Sequence, residues 1–113
     1  MASVAKMHVG NVLVVPIQEE LHDTAAEQVI EEIITDAEKR GARGVVIDIS
    51  ALDIVDSFLG RLLQETVHAL AAMGKKVVLV GIQPEVAITL VELGLDLEGI
   101  ETAFNLEIAL SKI

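Results

Sequence analysis

Two almost continuous apolar runs, separated by one amphipathic segment, constrain the fold of this chain more than any other feature. "GVVIDIS" (44–50) and "KVVLVG" (76–81) are rich in β-branched residues, a pattern typical of strands buried on both faces. Between them, "SFLGRLLQETVHALAAMG" (57–74) has apolar residues at helical spacing. This apolar stripe comprises Leu59, Leu62, Leu63, Val67, Leu70 and Ala71. Together these segments predict a β-α-β unit with parallel strands and a right-handed crossover.

The residues before this unit predict one more strand and one more helix. "NVLVVPI" (11–17) has the composition of a strand, and Pro16 marks it as an edge strand or as the end of a strand. Apolar residues then recur at helical spacing over 26–37, with Asp23 or Thr24 as the N-cap.

The residues after the unit repeat the same alternation. "QPEVAITLVELG" (83–94) predicts a short helix with Pro84 in its first turn. A brief strand follows near 101–104, and a last helix starts at about Asn105. The order β-α-β-α-β-α-β-α predicts one α/β domain over residues 1–113.

Length and charge exclude several classes of protein. A chain of 113 residues has enough material for one hydrophobic core. Its apolar runs are shorter than the roughly 18 residues that cross a bilayer, so we expect no membrane span. A formal charge of −10 repels phosphate backbones. With Phe58 and Phe104 as its only aromatic residues, the chain has no row of rings on which bases could stack. We therefore expect no nucleic-acid partner.

Two further absences concern the compartment. The sequence contains no cysteine, which removes disulfides and thiolate catalysis. Its start, "MASVAKMHVGN", lacks the apolar core of a signal peptide. Both observations favour the cytoplasm.

The segment "SALDIVDS" (50–57) holds the first candidates for a functional site. Functional groups of open α/β sheets gather beyond the carboxyl ends of the strands, which is where Asp53, Asp56 and Ser57 are predicted to lie. Asp and Ser are also preferred N-caps, because their side-chain oxygens accept hydrogen bonds from first-turn amides. A structural subunit whose serine only caps a helix is therefore one interpretation, and a functional serine is another.

Ser57 lacks the partners of a catalytic nucleophile. The glycine-serine-glycine elbow is missing, His8 and His22 are distant in sequence, and His68 falls about 16 Å further along the helix axis at 1.5 Å per residue. A phosphate acceptor needs no internal base, since a partner kinase supplies the catalysis. A phosphate adds about −1.5 to −2 charge, and a helix N-terminus favours negative charge.

The carboxylates allow one more interpretation, a magnesium-dependent phosphoaspartate receiver that uses Glu19, Glu20 and Asp48. Such a domain also needs a lysine at the end of a late strand, whereas "KVVLVG" has its lysine at the start. Solvated loop charges are the simpler account. The histidines lack the spacing of metal ligands, and the glycines do not form a phosphate-binding loop. We predict no metal, no cofactor and no enzymatic activity.

Two segments resemble a known family. "GVVIDISALDIVDSFLGRLL" (44–63) is similar to the central part of STAS domains, the anti-anti-sigma-factor fold, in which an Asp-Ser pair opens the helix after a strand that ends in aspartate. "KVVLVGIQPEVAITLVELGLDLEGIETAFNLEIAL" (76–110) extends the likeness over almost the whole chain. The likeness is strongest to the single-domain STAS proteins of the bacterial stressosome. It implies a single STAS domain, with a mixed sheet flanked by about four helices.

The resemblance implies a non-enzymatic scaffold and switch. Such proteins self-associate and assemble with larger RsbR-type STAS paralogues into a large complex. They hold an RsbT-type serine/threonine kinase until it phosphorylates them, and an RsbX-type phosphatase resets them. The family's phosphoacceptor falls on Ser57 through the "DSF" triplet. Thr89 is a weaker second candidate, for which a hydrogen bond to the preceding helical turn is the simpler account. Asp48, Asp53 and Asp56 take supporting positions.

Overall fold

The computed structural model describes residues 6–17, 23–94 and 100–113, the side chains of 23–26 excepted, and these form five strands and four helices. The strands are β1 (Met7–Val9), β2 (Val12–Pro16), β3 (Gly44–Asp48), β4 (Lys76–Val80) and β5 (Glu101–Ala103). The helices are α1 (Asp23–Lys39), α2 (Ser57–Ala72), α3 (Pro84–Glu92) and α4 (Leu106–Ser111). None of these four helices has the length and apolarity that a bilayer crossing requires.

One mixed sheet joins the five strands in the order β1-β2-β3-β4-β5. The strands β2 to β5 pair in parallel, in a register that sets Val45 of β3 between Leu13 and Val77. The predicted β-α-β unit is therefore confirmed. Pro16 is the last residue of β2, and β2 lies inside the sheet, so of its two predicted placements the strand end is correct.

The strand β1 is the element that the sequence interpretation missed. It pairs antiparallel with β2, with Val9 opposite Val12, through a two-residue turn of Gly10 and Asn11. Gly10 has φ 59°, a conformation that glycine adopts without strain. A two-residue Gly-Asn loop between strands is a recognised hairpin signal. However, β1 is only three residues long and all three are exposed, which is too short a run for the alternation of apolar and polar residues to indicate a strand.

Apolar side chains cover both faces of the sheet. On one face, α1, α2 and α3 pack with Val45 and its neighbours in the larger cluster. On the other face, Ala109 of α4 packs against Val46 and Val78. Because the three parallel crossovers all advance in one direction across the sheet, a constant hand of connection places α1 to α3 on the same side. Successive residues of β3 thus face different helical layers, which explains its continuous apolar run.

The apolar stripe of α2 agrees with the prediction except at one end. Leu59, Leu62, Leu63, Val67 and Leu70 are buried, whereas Ala71 is exposed because it falls at the edge of the stripe. Thr66, which was not part of the predicted stripe, is buried at 1% exposure. Its hydroxyl donates a hydrogen bond to the Leu62 carbonyl at 2.6 Å. This bond within the helix satisfies the hydroxyl, so the helix can bury a polar residue.

The helix starts agree with the sequence where the side chains are described. Pro84 is the first residue of α3. The Asn105 side chain caps α4 by accepting from the Ile108 amide at 2.9 Å. The predicted cap of α1, Asp23 or Thr24, concerns side chains outside the described part of the structure.

Candidate functional site

Three loops that the structure describes in full meet at the end of the sheet where the parallel strands terminate. The β3–α2 loop covers residues 49–56, the β4–α3 loop 81–83, and the β5–α4 connection 104–105. Because neighbouring parallel strands have their carboxyl ends at the same edge, the topology brings these loops together. The predicted candidates Asp53, Asp56 and Ser57 all belong to the first loop or to the first residue after it.

The first two loops are fastened to each other at Ser50. The Gln83 side-chain amide donates a hydrogen bond to the Ser50 carbonyl at 2.8 Å. Gly81 has φ 75°, and a Cβ added there would lie 2.4 Å from the Ser50 Cβ. Only glycine combines this backbone conformation with so close an approach. The β3–α2 loop is therefore held against the β4–α3 loop.

Asp48 stabilises the beginning of the β3–α2 loop. Its carboxylate accepts a hydrogen bond from the Ser50 amide at 2.9 Å, which forms a local turn. Its carbonyl accepts from the Ile17 amide at 2.8 Å. Further along the loop, Leu52 and Val55 are buried at 2% and 3% exposure and fix the loop to the core. Asp48 thus lies in the predicted region, where its carboxylate shapes the loop.

The cap of α2 is Asp56, which corrects the interpretation of Ser57 as the cap. One oxygen of Asp56 accepts a hydrogen bond from the Leu59 amide at 2.8 Å. Ser57 is the first helical residue and is exposed. Within the described part of the chain, its hydroxyl makes no hydrogen bond. The cap lies one residue before Ser57, so the serine hydroxyl does not take part in capping the helix.

The start of α2 is suited to hold negative charge. The amides of Leu59 and Gly60 donate to the Asp56 side chain and carbonyl, respectively. The amides of Ser57 and Phe58 precede the first intrahelical hydrogen bonds and have no acceptor among the described residues. A phosphate on Ser57 would therefore lie near free N–H groups and the positive end of the helix dipole. Asp53 and Asp56 beside it act in the opposite sense.

The loop end of the sheet is acidic as a whole. Residues 48–57, 81–85 and 104–107 include no lysine or arginine. Their acidic residues are Asp48, Asp53, Asp56, Glu85 and Glu107. At the opposite end, a groove is lined by the basic residues Arg43, Lys75, Lys76 and Lys112. The charge of the molecule is thus separated along the strand direction.

Thr89, the second predicted phosphosite, is occupied by a bond of its own helix. Its hydroxyl donates to the Glu85 carbonyl at 2.9 Å, and the side chain is half-buried. The bond to the preceding turn that the sequence favoured is therefore present. The Thr89 hydroxyl is thus hydrogen-bonded within α3, whereas the Ser57 hydroxyl at the start of α2 has no partner among the described residues.

The topology disagrees with the phosphoaspartate-receiver interpretation. Receiver domains are doubly wound, with strand order 2-1-3-4-5. Here the strands run in sequence order, and α4 is the one helix of the described residues that packs on the second face. Glu19 and Glu20 lie outside the described residues, and no three His, Asp or Glu side chains in the described ranges are grouped as a metal site.

The two histidines that the structure describes lie on β1 and in the later part of α2. The Nε2 atom of His8 lies 3.5 Å from an oxygen of Asp36, where it links β1 to α1. His68 is exposed on the fourth turn of α2, and His22 is outside the described part of the chain. His68 thus lies about 16 Å from Ser57 along the axis of α2, at 1.5 Å per residue.

A profile of the STAS domain family matches residues 3–107 of this chain. Among curated proteins, the RsbT co-antagonist protein RsbRA of Bacillus subtilis (strain 168) is 30% identical over 97 residues. That match covers 86% of this chain and 35% of RsbRA. The chain therefore spans about a third of the length of the curated relative.

Two solved structures are similar over nearly their full length. A variant of RsbS from Moorella thermoacetica, in which one serine is replaced by glutamate, is 44% identical with a TM-score of 0.88. It covers 96% of this chain and 92% of its own. A chain of the stressosome, described as a signal integration and transduction hub, is 45% identical with a TM-score of 0.87. Here the shares are 96% and 94%.

Proposed function

This chain belongs to the STAS domain family, as its sequence predicted, and from that premise we propose that it is a phosphorylation-controlled subunit of a stressosome. It holds an RsbT-type serine/threonine kinase while Ser57 is unmodified and releases the kinase once Ser57 carries a phosphate. The likeness to RsbS and to a stressosome chain supports the assembly. The name of the relative RsbRA, an RsbT co-antagonist, supports the kinase as partner. The chain acts through binding, without catalysis of its own.

The observation that carries this proposal is the division of tasks between two adjacent residues. Asp56 caps α2 through its bond to the Leu59 amide. Ser57 is exposed, and its hydroxyl has no hydrogen-bond partner among the described residues. A kinase can therefore modify Ser57 without removing the bond that starts the helix. The modification changes the charge of a surface and leaves the fold intact.

Electrostatic repulsion provides a reason for release. The active site of a kinase holds the phosphates of its nucleotide close to the acceptor hydroxyl. Unit charges of like sign 4 Å apart near a protein surface repel by about 4 kcal/mol, and a third of this weakens binding about tenfold. Asp53 and Asp56 already make the site negative, and residues 48–57 include no lysine or arginine. The nearest basic residue in the sequence is Arg61, about one helical turn after Ser57.

The remaining partners complete the switch. In the proposed assembly the chain self-associates and combines with RsbR-type STAS paralogues, and an RsbX-type phosphatase removes the phosphate from Ser57. Because the kinase uses ATP as its phosphate donor, the proposal places this chain in the cytoplasm. Thr89 stays unmodified in this scheme, because its hydroxyl is engaged by the Glu85 carbonyl.

Kinase capture by charge variants tests the proposal. Ser57→Ala should capture the kinase as the unmodified protein does, and should still do so after ATP is added. Ser57→Asp should capture it at least tenfold more weakly. Ser111→Asp is the matched control, because it adds the same charge at the end of α4, far from the loops. Equal Kd values for Ser57→Ala and Ser57→Asp would refute the switch.

A further inference from the structure

An apolar groove lies beside the β3–α2 loop and is open to solvent. Its volume is about 630 Å³. At its rim stands Phe104, one of two aromatic residues in the chain, with 85% of its surface exposed. The ring adjoins the apolar groove residues Ile82, Pro84 and Ala103, and contiguous exposed apolar patches are a feature of binding surfaces. The groove is lined by Ser50, Gly81, Ile82, Gln83, Pro84, Thr102, Ala103 and Phe104.

The charge around the groove limits what can occupy it. No lining residue is charged. Glu85 follows Pro84 directly, and Glu107 lies three residues after Phe104. The nearest loop adds further carboxylates, and residues 48–57, 81–85 and 104–107 include no lysine or arginine. A matching occupant therefore combines apolar side chains with lysine or arginine. A second copy of this chain that presents the same acidic end is disfavoured by repulsion between like charges.

The groove and Ser57 belong to one continuous surface. Ser50 is both a wall of the groove and a part of the loop that leads to Ser57. The bond from Gln83 to the Ser50 carbonyl holds the two loops in a fixed relation. Phe104 follows β5, which lies two strand spacings from β3, or about 10 Å. A protein interface of ordinary size buries roughly 800 Å² per partner, which is large enough to include both positions.

We propose that this groove is a docking site for a basic, apolar segment of the kinase, separate from the serine that the kinase modifies. The inference rests on the proposed function, since it assigns part of the kinase interface. While the kinase segment lies in the groove, the Phe104 ring enters an apolar pocket of the kinase. The lysine or arginine side chains of the kinase segment face Glu85 and Glu107. Docking there holds the kinase on the chain whether or not residue 57 has a hydroxyl.

Truncation of the ring is the first arm of the test. Phe104→Ala removes an exposed side chain, so the melting temperature should not change. The Kd for the purified cognate RsbT-type kinase should rise at least tenfold, as for a central aromatic residue of an interface. The rate of Ser57 phosphorylation at low substrate concentration should fall in parallel. Met7→Ala is the matched control: Met7 is 50% exposed on β1, at the opposite edge of the sheet.

Neutralisation of the rim is the second arm. The double variant Glu85→Gln with Glu107→Gln should weaken kinase binding several-fold in low salt and reduce the dependence of Kd on salt concentration. Glu38→Gln removes a carboxylate from the end of α1, away from the groove, and should leave both quantities unchanged.

The outcomes separate this inference from the proposed function. If the unmodified protein neither binds the kinase nor becomes phosphorylated on Ser57, the proposed function fails and the groove with it. If the unmodified protein does both, and Phe104→Ala and the double variant do so equally well, the docking site alone is refuted. A Phe104→Ala variant that binds the kinase normally but changes its sedimentation coefficient would assign the groove to a STAS subunit, which also overturns the inference.

Discussion

Replacement of Asp56 by alanine should destabilise the domain, whereas replacement of Ser57 should not. The Asp56 carboxylate accepts from the Leu59 amide at 2.8 Å and is the only side chain that caps α2. Loss of such a cap costs about 1 kcal/mol, within a range of roughly 0.5–2 kcal/mol. Ser57 forms no side-chain bond within the described residues, so Ser57→Ala should stay within about 0.5 kcal/mol of the unmodified protein.

The expected shift in melting temperature follows from the length of the chain. At about 2.1 cal/mol/K per residue, the 113 residues give an unfolding entropy of roughly 0.24 kcal/mol/K. A loss of about 1 kcal/mol then lowers the melting temperature by about 4 °C. Thermal unfolding followed by circular dichroism at a fixed protein concentration resolves this difference. Urea unfolding at constant m-value gives the free energy directly.

Two control variants separate the cap from the charge. Asp56→Asn keeps a side-chain oxygen as acceptor and should retain most of the stability, because Asn and Asp are comparable N-caps. Asp53→Ala removes a carboxylate from the same exposed loop but breaks no bond among the described residues, and it should be nearly neutral. A loss at Ser57→Ala as large as that at Asp56→Ala would show that the serine is the cap and refute the division of tasks.

Three more substitutions test other parts of the structure. Gly81→Ala should destabilise the domain by at least about 1–2 kcal/mol. The backbone φ of 75° is unfavourable for alanine, and the added Cβ would lie 2.4 Å from the Ser50 Cβ. Gly94→Ala, with φ 76° and open space around it, should cost less, and equal losses would refute the close approach. Leu70→Ala should cost about 2–5 kcal/mol in urea unfolding, because Leu70 is fully buried under the sheet, and a loss under 1 kcal/mol would contradict that packing. Thr89→Ala should leave kinase capture and the phosphate stoichiometry unchanged, and a halved stoichiometry would make Thr89 a second phosphosite.

The central elements could be predicted from sequence because burial leaves a pattern. The strands β3 and β4 are apolar except for Asp48 at the end of β3 and Lys76 at the start of β4, since helices cover both faces, and α2 between them has an apolar stripe at helical spacing. Two aliphatic strands and one amphipathic helix of this length admit few arrangements other than a parallel β-α-β unit. The STAS resemblance supplied the antiparallel component as a mixed sheet, but not its position in the chain.

Features without a burial pattern left little signal in the sequence, and for β1 that signal was the Gly-Asn pair of its turn. β1 is three exposed residues long, and its antiparallel pairing depends on a turn at Gly10. The burial of Thr66 depends on its hydroxyl, which forms a hydrogen bond within its own helix. The choice between Asp56 and Ser57 as cap is a matter of one residue and of backbone angles, which composition does not set. The groove at Phe104 needs the register of three loops that are distant in sequence.

The phosphate on Ser57 and the departure of the kinase are the central claim, and one time course measures both. The chain is mixed with its cognate RsbT-type kinase and ATP, and samples are divided between peptide mass mapping and size-exclusion chromatography. The expected result is a single phosphate on Ser57, in the peptide that contains "DIVDSFLGR", which accumulates at the rate at which the kinase leaves the complex. A phosphate on any other residue, or a kinase that stays bound to the fully phosphorylated chain, would contradict the account.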